Sequence, residues 1–133
     1  MNIPRYVLHF WALATLMSVA ANAQAGEVIA HPSVTLTVDE VKETFQGDKQ
    51  LAGSVKLVPV DNAAERADFL AKVLQTEPTK YAARWTKKAF REGIIAPAVK
   101  GSDAEVLSFV NATPGAIGYV SGSSSGAKVL LKY

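Results

Sequence analysis

The sequence contains no cysteine, and its only histidine beyond residue 25 is His31. Disulfide bonds, cysteine nucleophiles and zinc sites built from cysteine and histidine are therefore excluded. No Gly-x-Ser-x-Gly elbow is present to place a nucleophile for His31, which is followed directly by Pro32. With no acid–base constellation in view, the sequence predicts a protein that is not an enzyme and has no metal site and no cofactor.

A large excess of charge of either sign is also missing. Lysine and arginine total 14, aspartate and glutamate total 12, and the formal net charge is +2. Only Arg5 among the charged residues precedes residue 26, so residues 26–133 form a nearly neutral segment. This balance gives no electrostatic case for a nucleic-acid partner. A segment of this length suits one small domain with a single core.

The first 25 residues have the pattern of a secretory signal peptide. A short segment with one arginine, Met1–Arg5, precedes the apolar run Tyr6–Met17, and small residues follow. Two overlapping Ala-x-Ala sites predict cleavage after Ala23 or Ala25. The apolar run is shorter than the roughly 20 residues of a membrane-spanning helix, and no cysteine is present for lipid attachment. We therefore expect a signal peptide over 1–25 and a periplasmic domain over 26–133 that is not lipid-anchored.

Strand and helix patterns alternate along residues 26–133. In the first helix, Thr37 and Glu40 have the spacing of a capping box, and Val38, Val41 and Phe45 fall on one face. Such an order predicts an α/β fold with a sheet of about four strands covered by helices. Strands are predicted over 27–30, 55–60, 116–120 and 128–133, and helices over 37–47, 63–75, 78–91 and 104–111.

The predicted helix over 78–91 combines an apolar side with a basic one. Its buried side is predicted to comprise Tyr81, Ala82, Trp85, Ala89 and Phe90. Five cations share roughly one face, which either meets an anionic partner or is simply solvated. They are Lys80, Arg84, Lys87, Lys88 and Arg91.

A candidate ligand site lies where the predicted strand 55–60 gives way to a helix. Asp61, Asn62 and Arg66 are at this junction, and ligands of α/β sheets bind at the carboxyl ends of strands. Arg66 could hold an oxyanion with its planar fork of donors. Alternatively, Asp61 or Asn62 only caps the helix, and Glu65 complements its dipole. His31 and Ser33, at the exit of the first strand, complete the candidate site.

Four stretches, in order along the chain, resemble phosphate-type substrate-binding proteins of ABC transporters, which have the type II periplasmic binding protein fold. Residues 113–120, Thr-Pro-Gly-Ala-Ile-Gly-Tyr-Val, carry the most specific match. The other three are Thr44–Gly47, the strand 55–60 with Arg66 and Phe69 after it, and Trp85 with Phe90–Gly93.

This resemblance implies one lobe of a receptor that in the family has two lobes closing around its ligand. The ligand would be phosphate or another small oxyanion, and the protein would bind or sense it. The family's anion loop is rich in Ser, Gly and Thr, whereas the corresponding residues here are Asp61–Glu65. The alternative is a ligand-free module that docks on a membrane sensor, a porin or a transporter. Two copies could also rebuild a two-lobed cleft.

Overall fold

A computed structural model describes residues 26–122 and 126–133. The predicted signal peptide and its cleavage sites lie outside the described residues. The helices are α1 (Val38–Phe45), α2 (Arg66–Phe69), α3 (Pro78–Glu92) and α4 (Asp103–Ala112), and a π-helical turn, Leu70–Leu74, continues α2. The strands are β1 (Gly26–Ala30), β2 (Leu51–Ala52), β3 (Val55–Lys56), β4 (Val58–Asn62), β5 (Ala98–Lys100), β6 (Ala116–Ser121) and β7 (Lys128–Lys132).

Five of the strands form one mixed sheet in the order β5-β4-β6-β1-β7. Strand β4 is parallel to both β5 and β6, whereas β1 is antiparallel to both β6 and β7. The α/β class is confirmed, but the sheet has five strands and not about four. The additional strand, β5, has only three residues, of which Ala98 and Val99 are exposed, and Pro97 comes directly before it.

Helices cover both faces of the sheet because successive side chains of its central strands point to opposite sides. On one face, Val28 of β1 and Tyr119 of β6 pack with Phe45 and Phe69. On the other face, α4 packs against β1, β4 and β6. Gly118 allows this close packing, since a Cβ there would lie 2.6 Å from a methyl carbon of Val106. The core therefore lies in two layers, one on each side of the sheet.

Local capping signals match the structure, whereas some buried faces do not. The capping box at α1 is confirmed, with Thr37 and Glu40 bonded reciprocally, and Val41 and Phe45 are buried. Val38, predicted on the same face as these two residues, is 42% exposed. In α3, Tyr81 and Trp85 are buried as predicted, whereas Ala82, Ala89 and Phe90 are exposed, so their predicted burial is wrong.

The predicted strand over 55–60 is in fact two strands. Val55–Lys56 pairs with β2 in a small separate hairpin, and β4 begins after the buried Leu57. Strand β4 then extends to Asn62, beyond the predicted end at residue 60. The helix predicted over 63–75 begins only at Arg66, because residues 63–65 form a turn bonded to neighbouring chain segments.

Candidate functional site

The structure divides the predicted site residues between two edges of the sheet. Asp61 and Asn62 are the last residues of β4, and Arg66 opens α2 directly after them. The His31 N–H donates to the Ala116 carbonyl at the start of β6, which pairs with the start of β4. At about 3.3 Å per residue, the length of β4 separates His31 from Asn62 by more than 10 Å. His31 and Ser33 therefore do not join Asp61, Asn62 and Arg66.

Asp61 is a buried carboxylate held by two tyrosine hydroxyls. The Tyr81 hydroxyl lies 3.0 Å from each carboxylate oxygen, and the Tyr119 hydroxyl donates to Oδ1 at 2.9 Å. Burial raises the pKa of Asp61 above its ordinary value, against the opposing effects of both tyrosines and the charge of Arg66. Burial and the neighbouring Asp61 charge raise the pKa values of Tyr81 and Tyr119 far above the ordinary range. The three side chains form a buried, hydrogen-bonded cluster at the end of β4.

Asn62 closes the turn after β4. Its side-chain Nδ2 donates to Asp103 Oδ1 at 2.7 Å and to the Tyr119 carbonyl at 3.0 Å, while its Oδ1 accepts from the Ala64 N–H at 3.0 Å. The Ala63 N–H donates to the Lys100 carbonyl, and the Glu65 N–H donates to the Asn62 carbonyl. All three backbone donors of the turn are thus used within the protein.

Arg66 differs from its neighbours because its donors have no hydrogen-bond or ion-pair partner among the described residues. Its Nε is buried without a hydrogen-bond acceptor. Its guanidinium carbon lies 5.3 Å from the centre of the Tyr81 ring, a cation–π contact. Arg66 and Asp61 border a pocket of about 430 Å³ between α3 and the edge strand β5. The other lining residues are Tyr81, Ala82, Trp85, Thr86, Ala89, Ala96, Pro97 and Val99.

Further carboxylates lie around the turn after β4, although Asp61 is the one that lines the pocket. Glu65 is buried, and its pKa is raised by burial first and then by the charges of Asp68 and Asp103. Asp103 in turn accepts hydrogen bonds from Ser121 and Asn62. Negative charges at this edge repel a dianion more strongly than a singly charged group. The pocket has one available guanidinium, mainly apolar walls and the buried Asp61 carboxylate.

His31 and Ser33 form a local clamp at the opposite edge. Ser33 Oγ lies 2.7 Å from His31 Nδ1 and accepts a hydrogen bond from the Gly115 N–H at 3.1 Å. Gly115 has a φ of +83°, and a Cβ there would lie 2.0 Å from the Lys56 carbonyl oxygen. These hydrogen bonds hold the tight turn before β6. His31 and Ser33 therefore have a structural role.

Tyr81 and Tyr119 are the site residues that sequence reasoning missed. The sequence predicts Tyr81 as a buried residue of the helix over 78–91. It gives Tyr119 only as part of the family match over residues 113–120, with no role at the site. Their shared partner, Asp61, is 20 residues from Tyr81 and 58 residues from Tyr119, so no local spacing links them. Within residues 26–122 and 126–133, no group of three potential metal-ligating side chains gathers at one point.

No family model matches the chain, and no curated protein matches it by sequence. Among solved structures, the chain is similar to the crystal structure of an ABC-type phosphate transport receptor from Vibrio cholerae. The TM-score is 0.58 and the identity 17%, over 80% of this chain and 45% of the receptor chain. The protein thus has the fold of a periplasmic binding protein lobe. It spans less than half the length of that receptor.

Proposed function

We propose that the protein is a non-enzymatic binding protein of the periplasm, which holds an anionic group of its ligand on Arg66. The carrying observation is the Arg66 guanidinium, which borders a pocket and has no hydrogen-bond or ion-pair partner among the described residues. A guanidinium binds carboxylate or phosphate through two parallel hydrogen bonds, and apolar walls strengthen such contacts. The fold shared with a phosphate transport receptor supports a related role in binding.

The composition of the pocket favours a particular kind of anion. A buried phosphate needs several donors to offset its desolvation, but the N–H groups of residues 63–65 are already bonded within the chain. The Asp61 carboxylate, which lines the pocket, further opposes a dianion. A ligand with one anionic head and an apolar body fits these walls better. We therefore expect free phosphate to bind weakly, and an aromatic or aliphatic carboxylate to bind more tightly.

The proposed location rests on the signal sequence over 1–25. Across the described residues, no helix is both long enough and apolar enough to cross a membrane. Mass spectrometry of protein recovered from the periplasm of an expressing bacterium would test export. We expect a mature chain that begins at Gln24 or Gly26. Recovery of the unprocessed chain from the cytoplasm alone would contradict this location.

Binding can be tested by calorimetry and thermal unfolding with inorganic phosphate and with phenylacetate as separate probes. A ligand present at 100 times its dissociation constant stabilises the folded state by about 2.7 kcal/mol. We expect Arg66→Gln to abolish this stabilisation. Arg91→Gln is the matched control, because Arg91 is an exposed arginine outside the pocket. Absence of heat and of stabilisation at millimolar concentrations of both probes, or equal binding by Arg66→Gln, would reject the proposed site.

A second candidate function is a ligand-free module that docks on a membrane sensor, a porin or a transporter. The internal bonding of the Ala63, Ala64 and Glu65 N–H groups favours it, since the turn lacks free backbone donors for an anion. Cross-linking in intact periplasm, followed by purification of the tagged protein, tests this candidate. A specific partner together with no small-ligand binding would favour docking over the Arg66 site.

A further inference from the structure

The solvent-facing side of α3 carries cations that make no ion pair or hydrogen bond with other described residues. Lys80, Lys87 and Arg91 are exposed and have no hydrogen-bond or ion-pair partner among the described residues. Arg84 differs, because its Nε donates to the Gln46 carbonyl at 2.8 Å and its Nη2 pairs with Asp48 at 2.7 Å. The three unpaired cations occur at spacings of seven and four residues, which places them along one stripe of the helix.

Two large apolar side chains, one near the end of α3 and one in the connector after it, are almost fully exposed. Phe90 is 91% exposed and Ile95 is 88% exposed. Phe90 follows the buried Tyr81 by nine residues, or about two and a half helical turns, so it points directly away from the core. Gly93, with a φ of +69°, ends the helix, and Ile95 lies in the connector beyond it. We name Lys80, Lys87, Phe90, Arg91 and Ile95 the α3 outer surface.

We propose that the α3 outer surface binds the headgroup region of an anionic phospholipid membrane. Cations attract anionic headgroups, while isolated aromatic and aliphatic side chains insert at the boundary with the acyl chains. The charge of the surface is complementary to that of such a membrane, and the side chains of Phe90 and Ile95 are exposed enough to insert. A protein partner would need a matching pocket for each apolar side chain, whereas a membrane accepts both. This function is separate from ligand binding at Arg66.

Vesicle co-sedimentation tests the membrane interaction with two lipid compositions. One set of vesicles contains equimolar phosphatidylcholine and phosphatidylglycerol, and the other contains phosphatidylcholine alone. We expect binding to the anionic vesicles only, decreasing as salt is added. Each cation near a membrane surface contributes about 1 kcal/mol, so Lys87→Gln with Arg91→Gln should weaken partitioning roughly thirtyfold. Phe90→Ser with Ile95→Ser should also weaken it.

Matched controls separate this surface from general effects of charge and hydrophobicity. Val38 and Leu51 are 42% and 54% exposed and lie on α1 and β2, so Val38→Ser with Leu51→Ser should leave vesicle binding unchanged. All variants carry the same N-terminus, and circular dichroism checks that each is folded. Three results would overturn the proposal: no binding to anionic vesicles, equal binding to both compositions, or equal losses in the control pair. Capture of an acidic protein by the same surface, without vesicle binding, would assign the surface to a protein partner.

Discussion

The two buried tyrosines around Asp61 predict that the protein unfolds in alkali. The number of buried tyrosines sets how fast the free energy of unfolding falls with pH. Tyr81 is 3% exposed and Tyr119 is fully buried, and both donate to the Asp61 carboxylate. Their pKa values are raised in the folded state, above the ordinary value of about 10 that they regain on unfolding. The stability that this difference provides is fully present below pH 10. It is lost as the pH rises from 10 towards the folded-state pKa values, because only the unfolded chain releases these protons.

The slope follows from the number of protons released. One tyrosine that ionises only on unfolding lowers the free energy of unfolding by about 1.4 kcal/mol per pH unit, so two lower it by about 2.7 kcal/mol. A small domain is stable by about 5–15 kcal/mol, so the weaker end of that range is exhausted near pH 12. Tyr133, half-buried beside Glu65, has a raised pKa as well and adds to the effect in the same direction.

The assay follows tyrosinate absorbance and far-ultraviolet circular dichroism during one pH titration. We expect the two signals to change together, since the buried tyrosines ionise when the fold opens. Tyr119→Phe should lower the slope of stability against pH by about 1.4 kcal/mol per pH unit, the contribution of one tyrosine. At neutral pH it should also cost about 1.5–3 kcal/mol through the lost hydrogen bond to a charged group. Tyrosinate forming with a midpoint near pH 10, while the dichroism stays unchanged, would refute the reasoning.

Two further substitutions test the packing and the capping of the fold. Gly118→Ala should destabilise the protein by about 1–3 kcal/mol in urea unfolding, since its Cβ would lie 2.6 Å from Val106. The control is Gly101→Ala, where φ is not positive and the added Cβ would meet only the flexible Glu105 side chain at 3.4 Å. Equal losses at both positions would contradict the packing argument. Thr37→Ala should lower the free energy of unfolding by about 0.5–2 kcal/mol, because it removes the capping box of α1. Thr86→Ala, within α3, is the control. A loss at Thr37 no larger than the loss at Thr86 would argue against a capping contribution.

Features governed by neighbouring residues could be predicted from the sequence. The capping box at Thr37 depends on residues three positions apart, and Ser102 caps α4 in a similarly local way. The central strand β6 could also be predicted, because its apolar run lies between clear turn residues. These features depend on residues a few positions apart in the sequence, so they form whatever the tertiary fold around them.

Features governed by strand direction could not be predicted in this way. Asp61 and His31 were placed at one site because both follow a strand. Strand β1 runs antiparallel to β6, whereas β4 runs parallel to β6. The carboxyl ends of β1 and β4 therefore lie at opposite ends of the strands of the sheet. No local pattern encodes that choice. The exposure of Phe90 and the tyrosine partners of Asp61 likewise depend on elements far away in the sequence.

The first described strand, β1, lies between β6 and β7, which are the last two strands of the sequence. Gly26 and Tyr133 also exchange backbone hydrogen bonds of 2.9 Å in both directions. Neither neighbour of β1 exists until more than 90 further residues have emerged, so the centre of the sheet must close last. A chain with this connectivity stays open while it is being synthesised. That delay is compatible with the proposed export, in which the chain would thread through a secretion channel before it folds.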